Sequence, residues 1–336
     1  MTKQEIKHDT AKVEWRLRTK IFVVLGIAGG FFLGMYFNSF LHDVTCHDKF
    51  FFIGKEVACN EKVIDKRGYV VLRTTLQEYL EAETERGRLS QVSVYFRDLN
   101  AGPAFGINES ATFTSASLLK LPIAIAVYKL AEDLKDEGDI LDVEIRSTSN
   151  GVARNQFFAP KDPITSGTLY TVSDLIERLL IDSDNTATEM LVDFLHDRTG
   201  DNSIIVATMK DLGLILPKSF TDQDISVRSY ASIYRLLYNS SFLTPAYSEK
   251  LLEVLSRTGF EEGLRNGVPT NIKISHKFGE REDRGVKQLH DCGVVYFPGN
   301  PYLLCILTSG SDYTELSTII RTISEMFYAE IDSRRL

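Results

Sequence analysis

The apolar positions change their spacing several times along the chain, and each change marks an element. From Ile21 to Leu41 the run IFVVLGIAGGFFLGMYFNSFL carries no charge. As a helix, about 21 such residues cross a hydrocarbon core of ~30 Å. Because the run is apolar on every face, it reads as a membrane anchor rather than as a buried soluble helix. It exceeds the apolar core of a cleaved leader, and no A-x-A site follows it. Lys3, Lys7, Lys12, Arg16, Arg18 and Lys20 outweigh Glu5, Asp9 and Glu14 in the preceding flank. That bias predicts a cytosolic tail over 1–20, an anchor over 21–41 and an extracytoplasmic remainder. Gly26, Gly30 and Gly34 form two overlapping GxxxG matches, a spacing that lets two such helices pair as a weak homodimer.

Residues 42–69 show no sustained period and read as a juxtamembrane connector. A helical period then runs from Val71 to Glu83, with Leu76, Tyr79 and Leu80 on one face. Gln91 to Arg97 alternates as a strand. Asn100-Ala101-Gly102-Pro103 predicts a turn, and a second strand is expected over Ala104–Ile107. Helical patterns follow at Leu118–Leu134, Val172–Leu180 (with Ser173 as N-cap), Thr186–His196, Ser203–Leu212, Ser229–Tyr238 and Tyr247–Leu255. Short apolar runs return at Ile272–Phe278, Gly293–Phe297 and Tyr302–Thr308, before a closing helix over Leu316–Tyr328. Strands at both ends and helices between them predict an α+β domain over 70–336: one antiparallel sheet built from distant segments beside a mainly helical middle.

Composition narrows the function classes. The 336 residues are 43% hydrophobic and 25% charged, as in ordinary globular proteins. A net charge of −8 argues against a nucleic-acid partner. Walker and Rossmann glycine patterns are absent from the sequence, as is HExxH, so neither a cofactor nor a metal is expected. The four cysteines fall as Cys46 with Cys59 and Cys292 with Cys305, neither pair in C-x-x-C spacing. An extracytoplasmic setting permits disulfides. Cys46 and Cys59 could close a short loop. Cys292 and Cys305 flank the turn Pro298-Gly299-Asn300-Pro301; they are either bonded across a hairpin or two small buried thiols.

Three short patterns carry candidate chemistry. Ser117-Leu118-Leu119-Lys120 opens an apolar helix, and a three-residue spacing puts both polar side chains on one face. A serine hydroxyl needs a base, and a lysine serves only if its pKa falls from about 10.4 towards 7–8. Ser117 at a helix start would also aim its backbone N–H at an oxyanion. Ser183-Asp184-Asn185 joins two helical stretches: Ser183 to relay a proton, Asn185 to bind a substrate amide, Asp184 to brace the turn. Lys277-Phe278-Gly279 ends a late strand: Lys277 to attract a substrate carboxylate and depress Lys120, Gly279 to let a substrate backbone lie close. Each has a bland alternative in helix capping or a surface lysine.

In this order, the three patterns resemble the penicillin-recognising serine enzymes, and above all the class A β-lactamases. SASLLKLPIAIAVYKL, IDSDNTATEMLVDFL and VPTNIKISHKFGE are similar to that family's nucleophile, SDN and K-T-G segments, and the likeness covers about residues 70–330. It implies an acyl-enzyme on Ser117, Lys120 as base, Ser183 as shuttle, and Asn185, Lys277 and Gly279 as substrate contacts. The oxyanion hole would be the backbone N–H groups of Ser117 and Glu280.

Two departures stand out. Phe278 replaces the hydroxyl residue of K-T-G and cannot donate a hydrogen bond. No arginine lies between Gly285 and Gly299 to assist a carboxylate, which leaves Arg281 or Arg284 as stand-ins. The family's E-x-x-L-N, whose glutamate activates the deacylating water, is also missing. Between Thr186 and Tyr247 the only glutamate is Glu189, and Asp222 and Asp224 are the remaining candidates for a base. The expected function is therefore a membrane-anchored hydrolase acting on a β-lactam or related amide. The alternatives are a D,D-peptidase-like transferase acting on cell-wall peptide, and a module that binds such ligands without turnover.

Overall fold

A computed structural model describes residues 51–52, 69–100, 102–134, 139–148, 156–214 and 224–334. The proposed anchor, the GxxxG glycines Gly26, Gly30 and Gly34, and the pair Cys46–Cys59 lie outside these residues. No helix among the described residues is long and apolar enough to cross a membrane.

Helix α1 (Val70–Glu85) leads into strands β1 (Gln91–Asp98) and β2 (Ala104–Ile107). The last three strands are β7 (Ile274–Asp283), β8 (Val286–Val295) and β9 (Tyr302–Gly310), followed by helix α8 (Tyr313–Ser333). They form one five-stranded antiparallel sheet in the order β2-β1-β9-β8-β7. Strand β1 sits between its hairpin partner and the C-terminal strand, with Tyr95 opposite Gly106 on one side and Cys305 on the other. The expectation of a sheet closed by distant segments therefore holds.

Alternation along the strands assigns the two faces. Val94, Phe96, Leu304 and Ile306 turn towards α1 and α8, where Leu72, Leu76, Leu80, Ile320, Ile323 and Phe327 complete one apolar cluster. Phe96 stacks on Phe327 with ring centroids 4.9 Å apart. The opposite face receives helix α6 (Val227–Tyr238) and, through it, the helical body. At the centre of that body runs helix α2 (Lys120–Asp133), whose buried residues lie all round its axis. Apart from Lys129, Glu132 and Asp133 near its C-terminus, this helix is enclosed and is fixed by its neighbours: α3 (Val172–Ile181), α4 (Asn185–Thr199) and α5 (Ser203–Asp211).

Several boundaries differ from expectation. Helix α3 is capped by Thr171, not Ser173: Thr171 Oγ1 accepts from Asp174 N at 3.0 Å and Asp174 Oδ2 accepts from Thr171 N at 3.1 Å, a closed capping box. Helix α6 begins two residues before Ser229, with Ser226 as its cap. Strand β8 starts at Val286 rather than Gly293, because the chain reverses at Arg284 and Gly285, both at positive φ. Four three-residue strands were not foreseen. β3 (Thr112–Thr114) pairs with β6 (Asp224–Ser226), and β4 (Glu144–Arg146) pairs with β5 (Leu169–Thr171). Cys292 and Cys305 stand directly opposite each other on β8 and β9, joined by a disulfide.

Candidate active site

Ser117 lies in a 3-10 turn, Ala116–Leu119, that feeds directly into α2 at Lys120. Ala116 immediately before it has φ of +49°, a left-handed conformation that costs an alanine energy. The turn is held from two sides. Tyr230 Oη, buried on α6, donates to Leu118 O at 2.9 Å. Gly279 of β7 lies so close that a Cβ there would sit 3.1 Å from Leu118 N and 3.3 Å from Ser117 N. A glycine at this position thus lets an edge strand touch the backbone of the Ser117 turn, one residue before Glu280.

Lys120, only 4% exposed, turns inward from the first residue of α2. Its Nζ donates to Ser183 Oγ at 3.1 Å, to Asn185 Oδ1 at 2.7 Å and to the Ser183 carbonyl. Burial draws its pKa from the usual lysine range down to about 7, against the opposing pull of the Asp184 and Glu280 carboxylates. The ammonium is therefore poised to exist in both protonation states near neutrality.

The Ser183-Asp184-Asn185 segment is the bend between α3 and α4. Ser183 has φ of +56° and is fully buried. Asp184 caps α4: its Oδ1 accepts from Thr186 N at 2.6 Å and Ala187 N at 3.0 Å. The capping reading of this motif holds, and Asp184 fixes the turn that places Ser183 and Asn185 against Lys120. Gln156 completes the bend by donating from Nε2 to Ser183 O at 3.1 Å. Nothing in the sequence around Gln156 points to this contact with a residue 27 positions away.

Lys277 is completely buried, and its Nζ donates to the carbonyl of Phe278 at 2.8 Å while lying 4.3 Å from the centroid of the Phe278 ring. Burial, then the nearby Lys120 charge, holds its pKa well below the ordinary lysine value. The Phe278 ring is 2% exposed and stacks on Phe260 at 4.5 Å. Arg284 lies in the β7–β8 turn, about 20 Å along the strand from Phe278 and too far to replace the missing hydroxyl, whereas Arg281 lies three residues beyond Phe278 on β7.

Glu280 was singled out for its backbone, but its side chain has a partner of its own. Its carboxylate accepts from the backbone N–H groups of Phe157 and Phe158, each at 3.0 Å. Burial raises its pKa, opposed by those two hydrogen bonds and by Lys120 and Lys277. The segment 156–158 is therefore tied at one end to Ser183 and at the other to β7. Asp224 lies exposed on β6 opposite Thr114, three residues before Ser117, and Asp222 lies outside the described residues. Ser117, Lys120, Ser183, Asn185, Lys277, Gly279 and Glu280 thus converge on one place, although they come from three regions of the chain.

Comparison with known proteins gives a consistent result. A sequence model described as the beta-lactamase enzyme family matches residues 72–331. A beta-lactamase of Streptomyces fradiae is 26% identical over 233 residues, 65% of this chain and 72% of that protein. Among solved structures, a point mutant of PBP-A captured as its acyl-enzyme complex with penicillin G superposes with a TM-score of 0.63 at 24% identity, over 81% of this chain and all of that one. A beta lactamase from Xanthomonas campestris gives 0.63 at 21% identity, over 78% of this chain and 97% of that one.

Proposed function

The chain belongs to the beta-lactamase enzyme family, whose members are serine hydrolases, and from that premise we propose that it is a membrane-anchored enzyme forming an acyl-enzyme at Ser117 with a β-lactam or related amide. The observation that carries this reading is the Lys120 ammonium: buried, one helical turn from Ser117, and hydrogen-bonded to Ser183 Oγ at 3.1 Å. Neutral Lys120 takes the proton of Ser117 Oγ as that oxygen attacks the carbonyl carbon. The backbone N–H groups of Ser117 and Glu280 stabilise the oxyanion. Ser183 passes the proton to the leaving nitrogen, the C–N bond breaks, and the acyl group stays on Ser117 as an ester. Asn185 and Gly279 position the donor, and Lys277 supports the site from behind Phe278.

A second reading within the same chemistry is a D,D-peptidase-like acyl transferase on cell-wall peptide, with slow β-lactam turnover. The absence of any E-x-x-L-N between Thr186 and Tyr247 favours it, since water then lacks its usual activating glutamate. Intact-mass spectrometry of the protein over time after penicillin G separates the two. A transient adduct with steady product release supports the lactamase, and a long-lived adduct supports the transferase. If penicillin G is neither hydrolysed nor retained on Ser117, or if Ser117→Ala still gains the mass, acyl transfer from a β-lactam at this residue is ruled out.

The anchor over 21–41, with residues 1–20 cytosolic and the enzyme domain outside, belongs to the same proposal. Its support is the uncharged run, its basic flank and the Cys292–Cys305 bond, which suits an oxidising compartment. Retention in the membrane pellet after alkaline carbonate washing is expected, and complete release into the supernatant would overturn it.

A further inference from the structure

Building on the acyl-enzyme reading, we propose that His290 is a positioning residue for the nucleophile: its Nε2–H, donated to the Thr114 carbonyl, fixes the segment that enters the Ser117 turn. His290 is fully buried on β8, and its Nε2 lies 3.0 Å from Thr114 O, a residue 176 positions away in the chain. A carbonyl only accepts, so Nε2 carries the hydrogen. Burial holds the His290 pKa down at about 4, which keeps the ring neutral around pH 7.

This contact is one part of a brace along residues 113–118. His290 stands opposite Gly279 in the pairing of β8 with β7, so both project from the same face of the sheet. Gly279 bears on the turn itself, where a Cβ would meet Leu118 N at 3.1 Å and Ser117 N at 3.3 Å. His290 takes the carbonyl at the entry to the turn, and its ring meets Phe113 edge-on at 5.6 Å. Tyr230 Oη of α6 holds the exit through Leu118 O at 2.9 Å. Between entry and exit, Ala116 sits at φ of +49°, a conformation that persists only where its surroundings impose it. Lys120 is tied elsewhere, to Ser183 and Asn185. Releasing Thr114 therefore displaces Ser117 Oγ and N–H relative to an amine that stays in place. The loss falls on the covalent step, since Asn185, the proposed contact for a substrate amide, lies outside the brace.

Acylation of the full-length protein by penicillin G, followed by intact mass over a range of concentrations, separates the limiting rate from the half-saturating concentration. A glutamine amide reaches the place of Nε2; an asparagine amide is one methylene short, and phenylalanine keeps a ring without a donor. His290→Asn and His290→Phe are expected to lower the limiting rate about thirtyfold or more, with the half-saturating concentration within about threefold of native. His290→Gln is expected to keep the limiting rate within about fivefold of native. Limiting rates within about threefold of native in both variants without the donor overturn the proposal, as does a His290→Gln as slow as they are. Failure of both to fold, read by circular dichroism, makes His290 a purely structural residue and also overturns it. No reaction of the native protein brings down the acyl-enzyme reading and this role with it, whereas a reactive native protein with unaffected variants brings down this role alone.

Discussion

Asn185 Oδ1 accepts a hydrogen bond from Lys120 Nζ at 2.7 Å, so the first residue of one helix is bound to the first residue of another. Asp184, which caps the second helix, sets the position of that acceptor. The amide thereby holds the lysine towards the Ser183 hydroxyl, and the base role proposed for the amine would depend on a turn 63 residues away.

Lys120→Ala is expected to lower acylation of Ser117 by about a thousandfold, within the range for loss of a general base. Labelling with a fluorescent penicillin measures it, and circular dichroism should show the fold retained. Normal labelling of this variant would remove Lys120 from the base role.

Acylation should rise with pH through about 7, because the neutral amine is the active form and burial places the Lys120 pKa there. Stability should rise in the same direction. Between about 7 and the ordinary lysine value, the unfolded chain binds a proton that the folded one does not. The burden of the buried charge is therefore fully present below about 7 and is relieved as pH climbs towards 10.5. Lys120→Met should flatten this part of a denaturant-midpoint profile; a profile as steep as the native one would contradict the burial argument.

Gly279→Ala should slow acylation by about a hundredfold while leaving the melting temperature nearly unchanged. Its new methyl meets Leu118 N at 3.1 Å and pushes the Ser117 turn out of line. A rate within a factor of two of the native protein would show that β7 and the turn can separate freely.

Asp184→Ala removes a cap and should cost about 1 kcal/mol, or ~2–4 °C in melting temperature for a domain of this size. It should also slow acylation, because Ser183 and Asn185 lose the turn that presents them. Thermal denaturation and penicillin labelling check the two parts separately.

Much of this site was legible because its residues sit at element boundaries with strong local patterns. The apolar run after Ser117 fixed the direction of Lys120, and the acidic and amide residues at 183–185 marked a helix start. Other parts had no local cause. Gln156 reaches Ser183, and Glu280 reaches Phe157 and Phe158, across separations that no periodic pattern records. The three-residue strands β3 and β6 exist only because each finds the other more than a hundred residues away. The early start of strand β8 has a weak local signal, because its hairpin turns on Arg284-Gly285 rather than on Asn-Gly or Asp-Gly. The sequence shows Phe278 only as a missing hydroxyl; its packing against Lys277 and Phe260 depends on tertiary contacts.

The pairing of β1 with β9 also bears on how the protein comes into being. Gln91–Asp98 must wait for Tyr302–Gly310 before one of its edges is filled. During synthesis, that apolar strand is exposed through most of translation and is open to pairing with another chain. Folding dominated by such distant contacts is slow. β7, which brings Lys277 and Gly279 to the site, is held in the sheet only through β8 and β9. A chain halted before its last strand would thus lack the site as well as the fold, so acylation of Ser117 would report on completed folding.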